Sequence, residues 1–301
     1  MPLLTSGVYS IHNPSRSAMT VPIIIGVDLG ATNIEAAAVR DGEVLKSKKK
    51  KTRPEKGMEA VIDRIEKTIR TVFEKMDAEA SDFAAICIGA PGAVEKETGI
   101  VRSAPNLGWD NVPLGEALHD RFGIPVMVDN DVNVGVVGEH VHGAGTGALD
   151  MIGIFVGTGI GGGLVIDGAP HHGWRGAAGE IGHVIVKPHG RTCGCGRDGC
   201  VEAYASKTAM EAIIREEMEK GRETEVFEIM EDKGKKKLTS SVIEASLEVE
   251  DLLMEEVLQN AQYYLGILTA DLVNVLDPEI IVNGRGEVER LGEAYLKTIE
   301  R

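Results

Sequence analysis

The chain has 301 residues, 43% of them hydrophobic and 26% charged, with a net charge of −15 at neutral pH. That balance describes a soluble globular chain with room for two domains, and its acidity argues against nucleic acid as a partner, which needs a basic footprint. No apolar stretch reaches the roughly 18 residues of a membrane span, so no membrane partner is expected, and four cysteines in a chain this long point to reduced thiols and a cytoplasmic setting.

Residues 1–22 are serine-rich and aperiodic, without the basic start and apolar core of a secretory signal. They predict a disordered leader, with Met19 directly before the first strand pattern as a plausible start. Ile23–Asp28 and Ile34–Val39 are short β-branched runs, and Asp41-Gly42 turns the chain into a third, Glu43–Lys48, giving a β-meander. The basic run Lys46–Arg53 reads as a solvated strand end, with a phosphate or nucleic-acid contact as the other option. From Met58 to Met76 the apolar positions Val61, Ile62, Ile65, Ile69, Val72 and Phe73 recur at helical spacing and predict an amphipathic helix.

Phe83–Ile88 predicts a buried strand with Cys87 in the core, ending in Gly89-Ala-Pro-Gly92. A helix over Leu114–Phe122 leads to a strand over Val126–Val128 and then Asp129-Asn-Asp-Val-Asn133. Strand-like runs follow at Met151–Val156, Gly163–Ile166 and Gly182–Val186. Beyond Ser206 the pattern turns helical to roughly residue 276, with a capping box Ser241-x-x-Glu244. A last strand, Glu279–Val282, ends in Asn283-Gly-Arg-Gly286. Each half opens with hairpin chemistry and then alternates helix and strand. The expected organisation is therefore an α/β fold with lobes at 23–130 and 131–301, related by duplication.

Three features carry chemistry. Cys193, Cys195 and Cys200 cluster among glycines with His183 upstream, a donor set that can close a tetrahedral structural Zn²⁺ site. Glu180 and Glu202 bracket that cluster, which suggests recognition of a polyhydroxylated ligand. Two glycine loops, Asp28-Leu-Gly-Ala-Thr-Asn33 and Gly157-Thr-Gly-Ile-Gly-Gly-Gly163, each join two strand patterns. The first is either a phosphate cradle, with Asp28 near Mg²⁺, or an ordinary β-turn. The second matches G-x-G-x-x-G, but no helix pattern follows it, so the dinucleotide fingerprint is rejected. Finally, Asp131 follows a strand directly, flanked by Asn130 and Asn133. It is placed either to accept the proton of an attacking hydroxyl or to serve in a turn or helix cap.

Together these motifs resemble the ROK family of sugar kinases, on the two-lobed actin-like ATPase fold shared with hexokinases. The resemblance runs from Ile23 to Gly286 and includes DLGATN at 28–33, GAPG at 89–92, NLGW at 106–109, VDNDVN at 128–133, GTGIGGG at 157–163, GEIGH at 179–183 and CGCGRDGCVEAYAS at 193–206. PNLGWDNVPL with the glutamate-flanked cysteine cluster is most similar to the bacterial-type glucokinase branch. The resemblance implies transfer of the ATP γ-phosphoryl group to the 6-hydroxyl of glucose, with Asp131 as general base. It implies sugar contacts at Gly92, Asn106, Asn130, Glu180, His183 and Glu202, and phosphate contacts at Gly30, Thr32, Thr158 and Gly159, with Asp28 near Mg²⁺. It implies Zn²⁺ on His183, Cys193, Cys195 and Cys200, and a homodimer.

The resemblance leaves two other activities to weigh: a kinase for N-acetylmannosamine, N-acetylglucosamine or fructose, and a sugar-responsive repressor. The repressor form carries an N-terminal helix-turn-helix of several tens of residues, and about 22 aperiodic residues precede the first strand here. Members usually have a Gly-Gly-Gly-like adenosine turn where this chain has Asn283-Gly284-Arg285-Gly286, and usually continue beyond the position of Arg301. A truncated C-terminal end is therefore expected.

Overall fold

A computed structural model describes residues 21–284. The expected leader, the start at Met19, the Arg285-Gly286 part of the last turn and the C-terminal end lie outside the described residues.

Strands β1 (Ile24–Leu29) and β2 (Asn33–Arg40) pair antiparallel, and β2 turns through Asp41 and Gly42 into β3 (Glu43–Lys51). Both turn residues are left-handed (φ 51° and 77°), as a two-residue hairpin turn requires. Helix α1 (Met58–Met76) covers the span the apolar spacing predicts and buries Val61, Ile62, Ile65, Ile69 and Val72 under this ribbon. Strand β4 (Ala85–Ala90) then enters parallel to β1. Next come β5 (Ala93–Glu95), β6 (Ile100–Ala104) and β7 (Trp109–Val112), a small antiparallel sheet absent from the sequence reading. Helix α2 (Leu114–Phe122) returns the chain to β8 (Val126–Asn130), parallel to β4. The first sheet therefore has the order β3-β2-β1-β4-β8.

Helix α3 (Asp131–His142) begins where β8 ends. Sequence reasoning left Asp129–Asn133 as a strand end, turn or cap and named no helix beyond it, because five valines and two glycines between Asp131 and His142 are poor helix formers. Packing overrides that preference. Val136 is 1% exposed and lies against Gly153 and Gly163, and Val132 lies against Gly161.

The second sheet repeats the plan of the first. Strands β9 (Met151–Val156), β10 (Ile160–Ile166) and β11 (Ala169–His171) form an antiparallel ribbon. Helices α4 (Glu202–Ala205), α5 (Lys207–Glu219), α6 (Val226–Asp232), α7 (Ser240–Glu248) and α8 (Leu252–Leu276) follow. Strand β12 (Ile280–Gly284) then enters parallel to β9, giving the order β11-β10-β9-β12. One large core lies between the first sheet, α1 and α2; a second joins β9 and β10 to α5–α8. No helix among the described residues is long and apolar enough to cross a membrane.

Two local expectations are corrected. Gly182–Val186 is not a strand: Ile181–His183 is a single 3₁₀ turn, and Ile185 makes only an isolated bridge to Cys200. The backbone there pairs with the cysteine loop instead, Val186 N–H donating to Gly199 O (2.9 Å) and Val201 N–H to Val184 O (3.0 Å). The capping box at Ser241 and Glu244 is also absent. The helix starts two residues earlier, with Thr239 at the cap, and the Thr239 hydroxyl pairs with that of Ser241 (3.0 Å).

A Cβ on Gly153 would overlap Val136 Cγ2. Gly153→Ala is expected to destabilise the protein by about 1–3 kcal/mol through overpacking, and Val136→Ala by about 2 kcal/mol through lost burial. In the double variant the smaller side chain makes room, so urea unfolding should give a combined loss smaller than the sum by about 0.5 kcal/mol or more. Strict additivity would show that this contact does not seat α3.

Candidate active site

The chain turns at the ends of β1, β4, β8 and β9 open onto one cleft of about 670 Å³. The β1–β2 turn contributes Asp28, Gly30 and Thr32, and the β9–β10 turn contributes Thr158 and Gly159. Gly92 comes from the turn before β5, Asn106 from the turn between β6 and β7, and Asn130 and Asp131 from the β8–α3 junction. Glu180, His183 and Glu202 complete the wall. All the residues nominated from sequence for catalysis, sugar and nucleotide thus line a single space.

Both glycine loops are tied through their carbonyls. Gly30 O accepts the Thr52 hydroxyl (2.5 Å) and Thr32 O accepts the Thr52 N–H (3.0 Å), and Thr52 is wholly buried. In the second loop, Thr158 O accepts the Thr208 hydroxyl (2.8 Å) and Gly157 O the Lys207 N–H (3.0 Å). Loops fixed in this way keep their backbone donors in place for an anion. The second loop leads into β10 and not into a helix, as the sequence pattern predicts.

The Asx cluster at the end of β8 divides its tasks. Asn130 caps α3, its Oδ1 accepting from Val132 N–H (2.9 Å) and Asn133 N–H (3.2 Å). Its Nδ2 donates to Gly92 O (2.9 Å). Asp129 Oδ1 in turn accepts the Asn130 N–H (2.7 Å) and the Asn133 amide (3.3 Å). The capping role, open from sequence, therefore falls to Asn130. Asp131 is the first residue of α3 and lines the cleft.

The donor atoms of His183, Cys193, Cys195 and Cys200 all lie within 4.8 Å of one another. Cys193 Sγ is 3.6 Å from His183 Nδ1, and Cys195 Sγ is 3.7 Å from Cys200 Sγ. Tetrahedral Zn–S and Zn–N bonds give edges of about 3.8 Å between sulfurs and about 3.5 Å between sulfur and nitrogen, so the cluster fits a tetrahedral ion. Gly196 and Gly199 (φ 85° and 86°) make the turns, and a Cβ on Gly199 would overlap Lys187 O. Burial pushes the Cys193 thiol up to about 12 and raises Cys200 as well, while the Arg197 backbone N–H draws Cys195 down to about 6. Three thiolates together therefore need a cation, and binding one displaces protons. His183 Nε2 stays directed at Glu180, 4.0 Å from its Oε2.

Glu202 links this cluster to the second loop. One carboxylate oxygen accepts the Ile160 N–H (2.9 Å), and the other lies 3.6 Å from Cys193 Sγ. Gly159 leaves space for that carboxylate: a Cβ there would stand 2.5 Å from Glu202 Oε2.

Sequence reasoning missed Glu35 and Lys49, cross-strand partners on β2 and β3 that also line the cleft. Reading Lys46–Arg53 as one run, a solvated strand end with a phosphate or nucleic-acid contact as the other option, singled out no lysine in it and left Lys49 unnamed. The period-2 alternation of a strand, which separates odd from even lysines, is the signal that finds them.

The sequence pattern of the ROK family matches residues 24–301. A glucokinase of Halalkalibacterium halodurans is 36% identical, over 92% of this chain and 84% of its own. A xylose repressor of Caldicellulosiruptor bescii is 33% identical, over 92% of this chain and 68% of its own. Among solved structures, the ROK family glucokinase from Streptomyces griseus in complex with glucose and AMPPNP superposes with a TM-score of 0.77. It is 33% identical, over 92% of this chain and 87% of its own.

Elemental analysis of protein purified under reducing conditions should find about one divalent ion per chain, as a closed four-ligand site implies. Cys193→Ser should lose it and melt at lower temperature. An ion-free wild-type protein, or a variant that keeps both ion and melting point, would remove the metal centre.

Proposed function

The chain belongs to the ROK family, and we propose that it is a hexokinase that transfers the γ-phosphoryl group of ATP to the 6-hydroxyl of glucose. Its α/β fold is the two-lobed actin-like ATPase fold, with lobes at 23–130 and 131–301. The observation that carries the proposal is the position of Asp131: it shares one cleft with both glycine loops and with the Glu180–His183–Glu202 group.

In this reading the sugar is held by Glu180, His183 and Glu202, by Asn106 and Asn130, and by the backbone at Gly92. The 6-hydroxyl then faces Asp131. As that oxygen attacks the γ-phosphorus in line, its proton passes to the Asp131 carboxylate, the bond to the β-phosphate oxygen breaks, and ADP leaves with the electron pair. Gly30, Thr32, Thr158 and Gly159 hold the phosphates. Asp28 would hold Mg²⁺, which would neutralise phosphate charge. Cys193, Cys195, Cys200 and His183 would hold Zn²⁺, and with one ring nitrogen so engaged the imidazole of His183 would keep its other nitrogen for the sugar. Reduced thiols suit a cytoplasmic setting, and the family resemblance suggests a homodimer.

Loss of a general base typically costs about 10²–10⁴-fold in rate. Asp131→Asn is accordingly expected to lower kcat by that factor while leaving the KM for glucose close to wild type; near-normal turnover would remove Asp131 from the chemistry. A coupled ADP-release assay across glucose, fructose, N-acetylglucosamine and N-acetylmannosamine should give the highest kcat/KM with glucose. Turnover of another hexose alone would move the substrate assignment and keep the kinase, whereas no turnover of any would end the kinase reading.

A further inference from the structure

The cleft is short of fixed positive charge. Asp28, Glu35, Asp131, Glu180 and Glu202 all face it, and among the described residues that line it Lys49 is the one lysine or arginine. A nucleoside triphosphate adds several more negative charges to that space. Loop N–H groups offer only partial charge, so a cationic side chain near the first glycine loop has a clear task.

The geometry of β3 suits Lys49 to it. Lys49 lies opposite Glu35 on β2, and strand alternation places both on the face of Asn33, while Lys50 turns toward α1 and donates to Lys67 O (2.8 Å). Three residues beyond Lys49, Thr52 binds Gly30 O and Thr32 O, so this strand is anchored to the phosphate loop itself. The ammonium is paired with Glu35 Oε2 at 3.1 Å, and the two side chains are 57% and 41% exposed. An ion pair so open to solvent is weak and easily exchanged for a stronger one.

Resting on the kinase reading, we propose that Lys49 is a nucleotide-binding residue held in reserve by Glu35: on nucleotide entry its ammonium leaves Glu35 and donates to the phosphate oxygens. Glu35 then has a second effect. As an acid on the cleft wall it opposes the incoming phosphates, so removing its charge should tighten nucleotide binding.

Two measurements test this. Calorimetry with AMPPNP should show Lys49→Gln binding at least about tenfold more weakly than wild type, the loss expected for a charge-assisted hydrogen bond. Lys49→Arg should recover most of that loss, and Glu35→Gln should bind more tightly than wild type. Steady-state kinetics should show the change in the KM for ATP, with the KM for glucose unaltered. An active wild type whose Lys49→Gln variant binds AMPPNP as tightly would overturn the role of Lys49 alone. A wild type that phosphorylates no hexose would overturn the kinase reading, and the AMPPNP series would still decide Lys49. A wild type that does not bind AMPPNP would overturn both.

Discussion

The position of Asp131 depends on how closely α3 approaches the second sheet. Three of the glycines on β9 and β10 face α3: Gly153, Gly161 and Gly163. Val132 and Val136 occupy the space this leaves, and Val136 continues into a small core with Met151, Phe155, Val165 and Val282. The helix is thereby seated on one sheet while its first residue extends the last strand of the other. A carboxylate at that junction belongs to both halves of the molecule. Its location is set by the packing of α3 on the second sheet.

Around this junction the polar groups are arranged to hold backbone. Asn130 caps the helix and grips Gly92, Asp129 grips Asn130 and Asn133, and Thr52 and Thr208 grip the two glycine loops. Each such bond fixes main chain on the wall of the cleft, the kind of preorganisation that phosphoryl transfer needs. The cysteine loop extends the same principle. It borrows hydrogen bonds from the segment around Val184–Lys187, so the imidazole of His183 and the carboxylate of Glu202 are held on a scaffold of short turns.

Much of this was legible in the sequence where a pattern is local. The periodicity of Met58–Met76 gave the helix to the residue, and Asp41-Gly42 gave the hairpin. The cysteine spacing gave a donor set that the fold closes into a tetrahedron. The rest depended on partners distant in the chain. Helix α3 was invisible because its valines and glycines favour other conformations, and the glycines that accept it lie up to about 30 residues away. Gly182–Val186 looked like a strand because it ends in three consecutive β-branched residues, yet its hydrogen-bond partners are in the cysteine loop. Lys49 was hidden for the opposite reason: an apparent charge run dissolved once strand alternation assigned its members to different faces, Lys49 opposite Glu35 and Lys50 toward α1.

Glu202 carries a consequence for how the two ligands sense each other. Under the proposed roles, its carboxylate contacts the hexose while accepting the N–H of Ile160 beside the second glycine loop, so one side chain is shared by the two proposed subsites. Such sharing would make the occupants heterotropic effectors of one another. Thermodynamic linkage then demands symmetry: by whatever factor the hexose alters affinity for the triphosphate, the triphosphate alters affinity for the hexose equally.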